Sequence, residues 1–309
     1  MKSLNPNDVS VIKTEDFGLF SALSQKVRDY GVLMKFKLSL TVVFSAVMAF
    51  LIALDTKLVW SDFWILFLGG FFTTGAANAL NEVLEKDYDK LMKRTENRPL
   101  ATGRMTVSEA VLVAGLMSLL GISFLAMFNP MTAFLGMVSL ISYAFVYTPM
   151  KRVSNVAVTI GAIPGALPMV IGCTAAQGGV LTGLALSLFA LQFFWQFVHF
   201  WAIAWLADDD YKAAGFKLLP TKDGVKDENT GKQSVIYALM LVPVSWMPYY
   251  FGTSGVVSAI ILTVLALVFA YFGWGLYKKC SREAARAQMF FSFAYLPLAL
   301  GALYFDKIA

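Results

Sequence analysis

VWSDFWILFLGGFFTTGAANALNEVLEKDYD, residues 59–89, passes from apolar side chains into a series of amides and carboxylates with no proline to interrupt it. Its first part is long enough to cross the hydrocarbon core of a bilayer, which takes a helix of about 20 residues. Its last part carries Asn78, Asn81, Glu85 and Asp89. On a helix turning about 100° per residue these four share a stripe about 80° wide, and Asp87 points the other way. Asn78 and Asn81 begin the stripe while the neighbouring sequence is still Gly75-Ala76-Ala77. Polar groups at that depth are costly and usually face a site or a cavity. The stretch therefore predicts a membrane-spanning helix with chemistry at one end.

The rest of the chain repeats the apolar half of this pattern. Of 309 residues, 58% are hydrophobic and 15% charged, whereas a soluble domain carries about 25% charged residues. Nine apolar segments can be marked, at about 36–54, 59–81, 107–127, 131–147, 156–176, 181–207, 234–251, 255–276 and 287–305. The expected fold is an all-α, polytopic membrane protein, with residues 1–34 as a cytoplasmic tail and 35–309 as one transmembrane domain. Nothing in 1–34 resembles a cleavable leader, so the first span serves as its own insertion signal. With nine spans, one side of the membrane receives 23 of the chain's 25 lysines and arginines, and the other only Lys57 and Lys307. Positive residues stay inside, which predicts a cytoplasmic N-terminus and an outer C-terminus. Cys173 and Cys280 have no metal or redox spacing and fall near opposite sides of the bilayer, so no disulfide is expected between them. The outer connections are short, at Phe128-Asn129-Pro130, Gln177-Gly178-Gly179 and Thr253-Ser254; the two long loops, 82–106 and 208–233, are cytoplasmic. Long loops more often carry function.

Oxygen ligands aligned as in the stripe suit Mg²⁺, which takes one or two carboxylates, waters and a substrate phosphate. Glu82, Lys86 and Asp87 read instead as a helix leaving the membrane into solvent. Lys93, Arg94 and Arg98 follow at once, and cations beside carboxylates make sense if the ligand is a metal-bound diphosphate. A second cluster ends the sixth span. Trp195, Gln196 and His199 lie within it, and Asp208-Asp209-Asp210-Tyr211 at its exit. Gln196, His199 and Asp210 share one face if the helix continues. Two acidic helix ends on one side of the bilayer form a clamp for a diphosphate leaving group, and Lys151-Arg152 ends the fourth span on that same side. A lone histidine is most often a structural residue. In a span and among aromatics, His199 can also ligate or face a large planar ligand such as haem.

Asn81-x3-Glu85-x3-Asp89 resembles the first aspartate-rich motif of the UbiA-type prenyltransferase superfamily. The run Asp89 to Leu100, with Trp195-Gln196-x2-His199-Phe200 and Asp210-Tyr211-x3-Gly215, is similar to the members that farnesylate haem. The resemblance covers essentially residues 35–305. Two positions depart from the pattern: Glu85 stands for the usual Asp, and Val198 for a common Pro before the histidine. The resemblance implies a nine-helix bundle with a central cavity open to the cytoplasmic side, in a bacterial inner membrane. It implies Mg²⁺ held by Glu85 and Asp89 with Asp209 or Asp210, and Asn81 as part of the catalytic motif. Lys93, Arg94, Arg98, Lys151 and Arg152 would bind the diphosphate of farnesyl diphosphate. His199, Gln196 and Trp195 would orient haem B, a substrate rather than a cofactor, with Asn78 and Tyr211 in support. The bilayer and haem-handling or oxidase-assembly proteins are the other expected partners; nucleic acid is not. The rival readings are a prenyltransferase for another aromatic or tetrapyrrole ring, and a transporter. Transporters place charges near the midplane and use internal repeats, neither of which is visible here.

Overall fold

Backbone polar groups in hydrocarbon must be satisfied within their own segment, and each long apolar segment is helical. The computed structural model describes residues 21–222 and 225–308; the expected tail lies outside it as far as residue 20. Helix α1 (21–33) leads through a left-handed Lys35 (φ 47°) into α2 (Phe36–Ala53). Helices α3 (Trp60–Asp89), α4 (Val107–Ala126) and α5 (Pro130–Ile141) follow. A π-helical stretch, Ser142–Tyr147, continues α5 into α6 (Thr148–Met150). Next come α7 (Ala157–Ala176), α8 (Gly183–Leu206) and the short α9 (Asp208–Ala213). A two-residue hairpin, β1 (Thr221–Lys222) on β2 (Val225–Lys226), precedes α10 (Glu228–Tyr250), α11 (Val256–Lys279) and α12 (Arg282–Phe305).

Several starts are written locally. Thr106, Asn129, Thr182, Asp227 and Ser281 each accept a first-turn backbone N–H on their side chains, and Pro130 follows Asn129 at a position where a missing N–H costs nothing. Among the described residues, eight helical rods are long and apolar enough to cross a membrane. The rod not among them, α10, has the length at 23 residues, but Pro243, Pro248 and its polar first turns dilute its hydropathy. Leucines and other large apolar side chains such as Leu112, Leu119, Val257 and Tyr271 are exposed on the outside of the bundle. A coat of that extent is intolerable in water and ordinary in lipid.

Helices α3 and α4 pack together, as do α2 and α7, α7 and α8, and α10 with α8 and α11; α12 closes on α8, α11 and α2. A Cβ at Gly172 would collide with the Ala46 carbonyl, so glycine is what lets α2 and α7 approach. Pro168 cannot bond the Pro164 carbonyl, and the Ser139 hydroxyl donates to that oxygen at 3.3 Å instead. At one end of the bundle Lys307 Nζ donates to the carbonyls of Leu51 (3.1 Å) and Leu54 (2.9 Å), and Asp306 accepts the Ser258 N–H at 2.6 Å. The C-terminal ends of α2 and α12 therefore lie together. Those two helices run the same way. Trp60, Tyr250 and Phe305 stand exposed at this end as an interfacial aromatic girdle. The polar clusters lie at the other.

Candidate active site

The π stretch sets one wall. It bonds the Thr148 N–H back to the Tyr143 carbonyl, and the Thr148 hydroxyl donates to the same oxygen at 3.0 Å. Such bulges re-aim the side chains that follow them. Tyr147 fits because a Cβ at Gly161 would stand 2.6 Å from its ring. Lys151, one turn on, is buried against Tyr147, with its ammonium 4.7 Å from the ring centroid.

The α3 stripe faces that wall, and each of its three lower members has a cation of its own. Asn81 is fully buried; its Oδ1 accepts from Lys35 Nζ at 2.6 Å and its Nδ2 donates to Thr148 Oγ1 at 3.0 Å. One turn on, Glu85 accepts from Lys151 at 2.9 Å. One turn further, Asp89, fully buried, takes Arg98 Nη1 on both oxygens at 2.8 and 2.7 Å. The Thr95 hydroxyl donates to the Asp89 carbonyl at 2.9 Å, which folds the loop back so that Arg98 arrives there. Asn78 ties α3 to α2 by donating to Ser39 Oγ at 3.1 Å. Burial pulls the Lys35 ammonium down to about 7, with repulsion from Arg98 and Lys151 adding to it. Burial works the same way on Lys151, but Glu85, Tyr143 and Tyr211 together hold that ammonium above its ordinary value.

Glu82 departs from expectation. It is not solvated but fully buried, with Oε1 accepting the Leu100 N–H at 3.4 Å, because the loop after α3 closes over it. Asp87 is exposed and paired with Lys90 at 3.0 Å, as a solvated helix end should be.

The second acidic cluster reaches the same loop, though not on a continued helix. α8 ends at Leu206 and α9 restarts at Asp208. Asp210 accepts the Lys93 N–H at 3.2 Å, and the Arg94 guanidinium lies 4.4 Å from the Tyr211 ring centroid. Arg152 covers Tyr88 at 4.2 Å. Asp208 is buried between Lys212 (2.8 Å) and Lys226 (3.7 Å), while Asp209 is exposed. Deeper in α8, Gln196 donates to the Ala162 carbonyl at 2.6 Å, toward α7, and Gly165 leaves room for its amide. His199 turns instead toward α12. It stacks on Trp195 at 4.7 Å, meets the edge of Phe293 at 5.1 Å, and places Nδ1 2.6 Å from Ser292 Oγ. α8 runs unbroken through Val198.

The family described as the UbiA prenyltransferase family matches residues 42–294. The chain belongs to the UbiA prenyltransferase family. Among its curated UbiA-family relatives, the Protoheme IX farnesyltransferase of Cytophaga hutchinsonii is 43% identical over 289 residues, 93% of this chain and 100% of that one. The protein of that name from Flavobacterium psychrophilum is 40% identical over 288 residues, 90% of this chain and 94% of its own. Solved structures share the UbiA fold. One from work on digeranylgeranylglyceryl phosphate synthase aligns with a TM-score of 0.75 at 17% identity, covering 91% of this chain and 98% of that one. A UbiA homologue from Archaeoglobus fulgidus bound to GPP and Mg²⁺ aligns with a TM-score of 0.64 at 16% identity, covering 89% and 99%.

The UbiA-family stripe has the donor chemistry for a hard cation. Among the described residues no three of His, Cys, Asp and Glu gather into a self-sufficient metal cage. Mg²⁺ does not need one: it keeps waters and shares substrate phosphates, so two carboxylates and an amide oxygen suffice. Sequence reasoning passed over Lys35, Ser39 and Ser292. Lys35 carried a usable signal, a lysine at the threshold of the first span, but it was indistinguishable there from a charge that merely orients the helix.

Proposed function

We propose that this UbiA-family protein transfers the farnesyl group of farnesyl diphosphate to a vinyl group of haem B, with addition of water. The observation that carries the reading is the threefold pairing along α3: Asn81 with Lys35, Glu85 with Lys151, and Asp89 with Arg98. Oxygen donors and cations alternate there at hydrogen-bond distance, an arrangement that a metal-bound diphosphate can enter by exchange of partners. Lys151, Arg98 and Lys35 would bind phosphate oxygens, and Glu85 and Asp89 would hold Mg²⁺. Lys93, Arg94 and Arg152 line the rim and add positive charge to it. When bound, Mg²⁺ supplies charge neutralisation for the departing diphosphate.

The C1–O bond of the prenyl diphosphate breaks and its electron pair leaves with the phosphate oxygen. The allylic cation is shielded from water by the apolar bundle and stabilised by aromatic faces. The vinyl π electrons of haem form the new C–C bond, water adds to the resulting cation, and one proton is released. His199, Gln196 and Trp195 orient the ring. The names of the Cytophaga and Flavobacterium relatives support haem as the acceptor. The bacterial relatives support a plasma membrane location, and the positive-inside partition supports a cytoplasmic site and N-terminus.

Mass spectrometry of haem extracted from cells with and without expression tests the reading. A species heavier than haem B by one farnesyl group plus one hydroxyl is expected; its absence, with the protein inserted, overturns it. Chelation by EDTA should abolish turnover in purified membranes, and Mg²⁺ should restore it.

A further inference from the structure

His199 is the single histidine of the chain, and its hydrogen bonds allow one placement of its proton. Ser292, fully buried on α12, lies with Oγ 2.6 Å from His199 Nδ1 and 2.5 Å from the Met289 carbonyl. A hydroxyl has one hydrogen, and a carbonyl oxygen can only accept. The contact to Met289 therefore consumes the serine proton. The short contact to the ring then needs a proton from the other side, and only Nδ1 can supply it. The singly protonated ring is thus the Nδ1–H tautomer, with a lone pair left on Nε2.

The ring cannot easily turn to escape this. Trp195 stacks on it within 12° of parallel, and the Trp195 indole N–H donates to the carbonyl of the same Ser292 at 3.0 Å. Phe293 closes its edge. One turn before Ser292, Gln288 donates to the Val198 carbonyl at 2.7 Å, which fixes the register of α12 against α8 beside the histidine. A structural histidine needs no such control. A histidine that donates a lone pair to a metal does, since an outer partner on the far nitrogen sets the tautomer and aims the near one.

We propose that Ser292 is a positioning residue that locks His199 with its proton on Nδ1 and presents Nε2 as the ligand to the metal of a tetrapyrrole. The tetrapyrrole part rests on the haem-acceptor reading; the tautomer does not.

With one histidine, ¹⁵N-histidine labelling of tag-free protein in detergent or nanodiscs gives one pair of ring signals. Wild type should show a protonated Nδ1 and an unprotonated Nε2. Ser292→Ala should shift the proton toward Nε2, and Ser292→Thr, which keeps the hydroxyl, should retain the wild-type pattern. A wild-type proton on Nε2 overturns the lock, and so does an unchanged pattern in Ser292→Ala. If Ser292→Ala does not fold, the wild-type and threonine spectra still decide. Titration with ferric haem B should give a histidine-ligated absorption spectrum, weakened about 10- to 100-fold in affinity by Ser292→Ala; equal affinity overturns the ligand role. A protein that shows the Nδ1–H tautomer yet yields no farnesylated haem keeps the lock and removes the haem reading.

Discussion

Asp89 and Arg98 illustrate what single residues do at this site. The carboxylate is fully buried and its one cationic partner is half-buried. Removal of one partner from such a pair costs more than the pair contributes, because the other charge is left in a medium that solvates it poorly. Asp89→Ala removes a carboxylate proposed to hold Mg²⁺ and leaves Arg98 unpaired, so it should abolish farnesyl transfer in purified membranes and lower thermal stability, while helical far-UV circular dichroism and membrane insertion persist. Lys35→Met removes a hydrogen bond worth about 1 kcal/mol, so kcat/KM for the prenyl diphosphate should fall about 5-fold or more with the KM for haem unaltered. His199→Ala should weaken haem binding more than prenyl diphosphate binding, read by absorption and by competition respectively. Asn81, Glu85 and Asp89 were legible because a spacing of four in a helix forces a common face. Lys35 and Glu82 were not. Their burial depends on α1 and the 90–106 loop folding over the stripe, and nothing local to either residue encodes that.

At the scale of elements, the cationic loop after α3 depends on α1. Arg104 donates to Asp29 from Nε and Nη2 at 3.0–3.2 Å and to the Asn97 carbonyl at 2.8 Å. Lys26 and Tyr30 both donate to Glu109 at the start of α4. The hydrogen bond from Arg104 holds the Asp29 carboxyl below its ordinary value, against the opposing effect of burial. A depressed carboxyl contributes stability above its unfolded pKa of about 3.9 and loses it as pH falls through the folded value. Asp29→Asn should thus destabilise α1 docking by about 1 kcal/mol. Proteolysis of the 90–106 loop should show that difference unchanged above about pH 5 and shrinking progressively as pH falls below about 4. The helices themselves were readable from apolar length, and the caps from Thr, Asn, Asp and Ser before them. The π stretch was not, since Ser142–Tyr147 looks like any apolar helix and only its packing against α7 demands the wider turn.

At the scale of the molecule, the two cysteines provide a test of topology. Cys173 is buried and Cys280 is exposed, at the end of the bundle opposite the Lys307 contact. A membrane-impermeant thiol reagent should label Cys280 in inverted vesicles and not in intact spheroplasts; labelling from the outside would reverse the proposed orientation. The one-sidedness of charge was visible in the sequence, because lysines and arginines are placed between apolar segments without knowing which helices touch. Which helix packs on which was not visible, since an apolar face in lipid does not announce its neighbour: Gly172 marks the α2–α7 crossing only once both backbones are in place.

The bonds from Lys307 to Leu51 and Leu54 join the last long helix to the first. Their consequence concerns biogenesis. Helix α2 brings Lys35 and Ser39 to the stripe on α3, and the carbonyls at its far end are bonded by a residue that follows every other described span. While the ribosome is still delivering the intervening helices, α2 lacks that anchor and the pocket lacks its final geometry. The contact between the far ends of α2 and α12 is thus one that forms only after the intervening helices have been delivered.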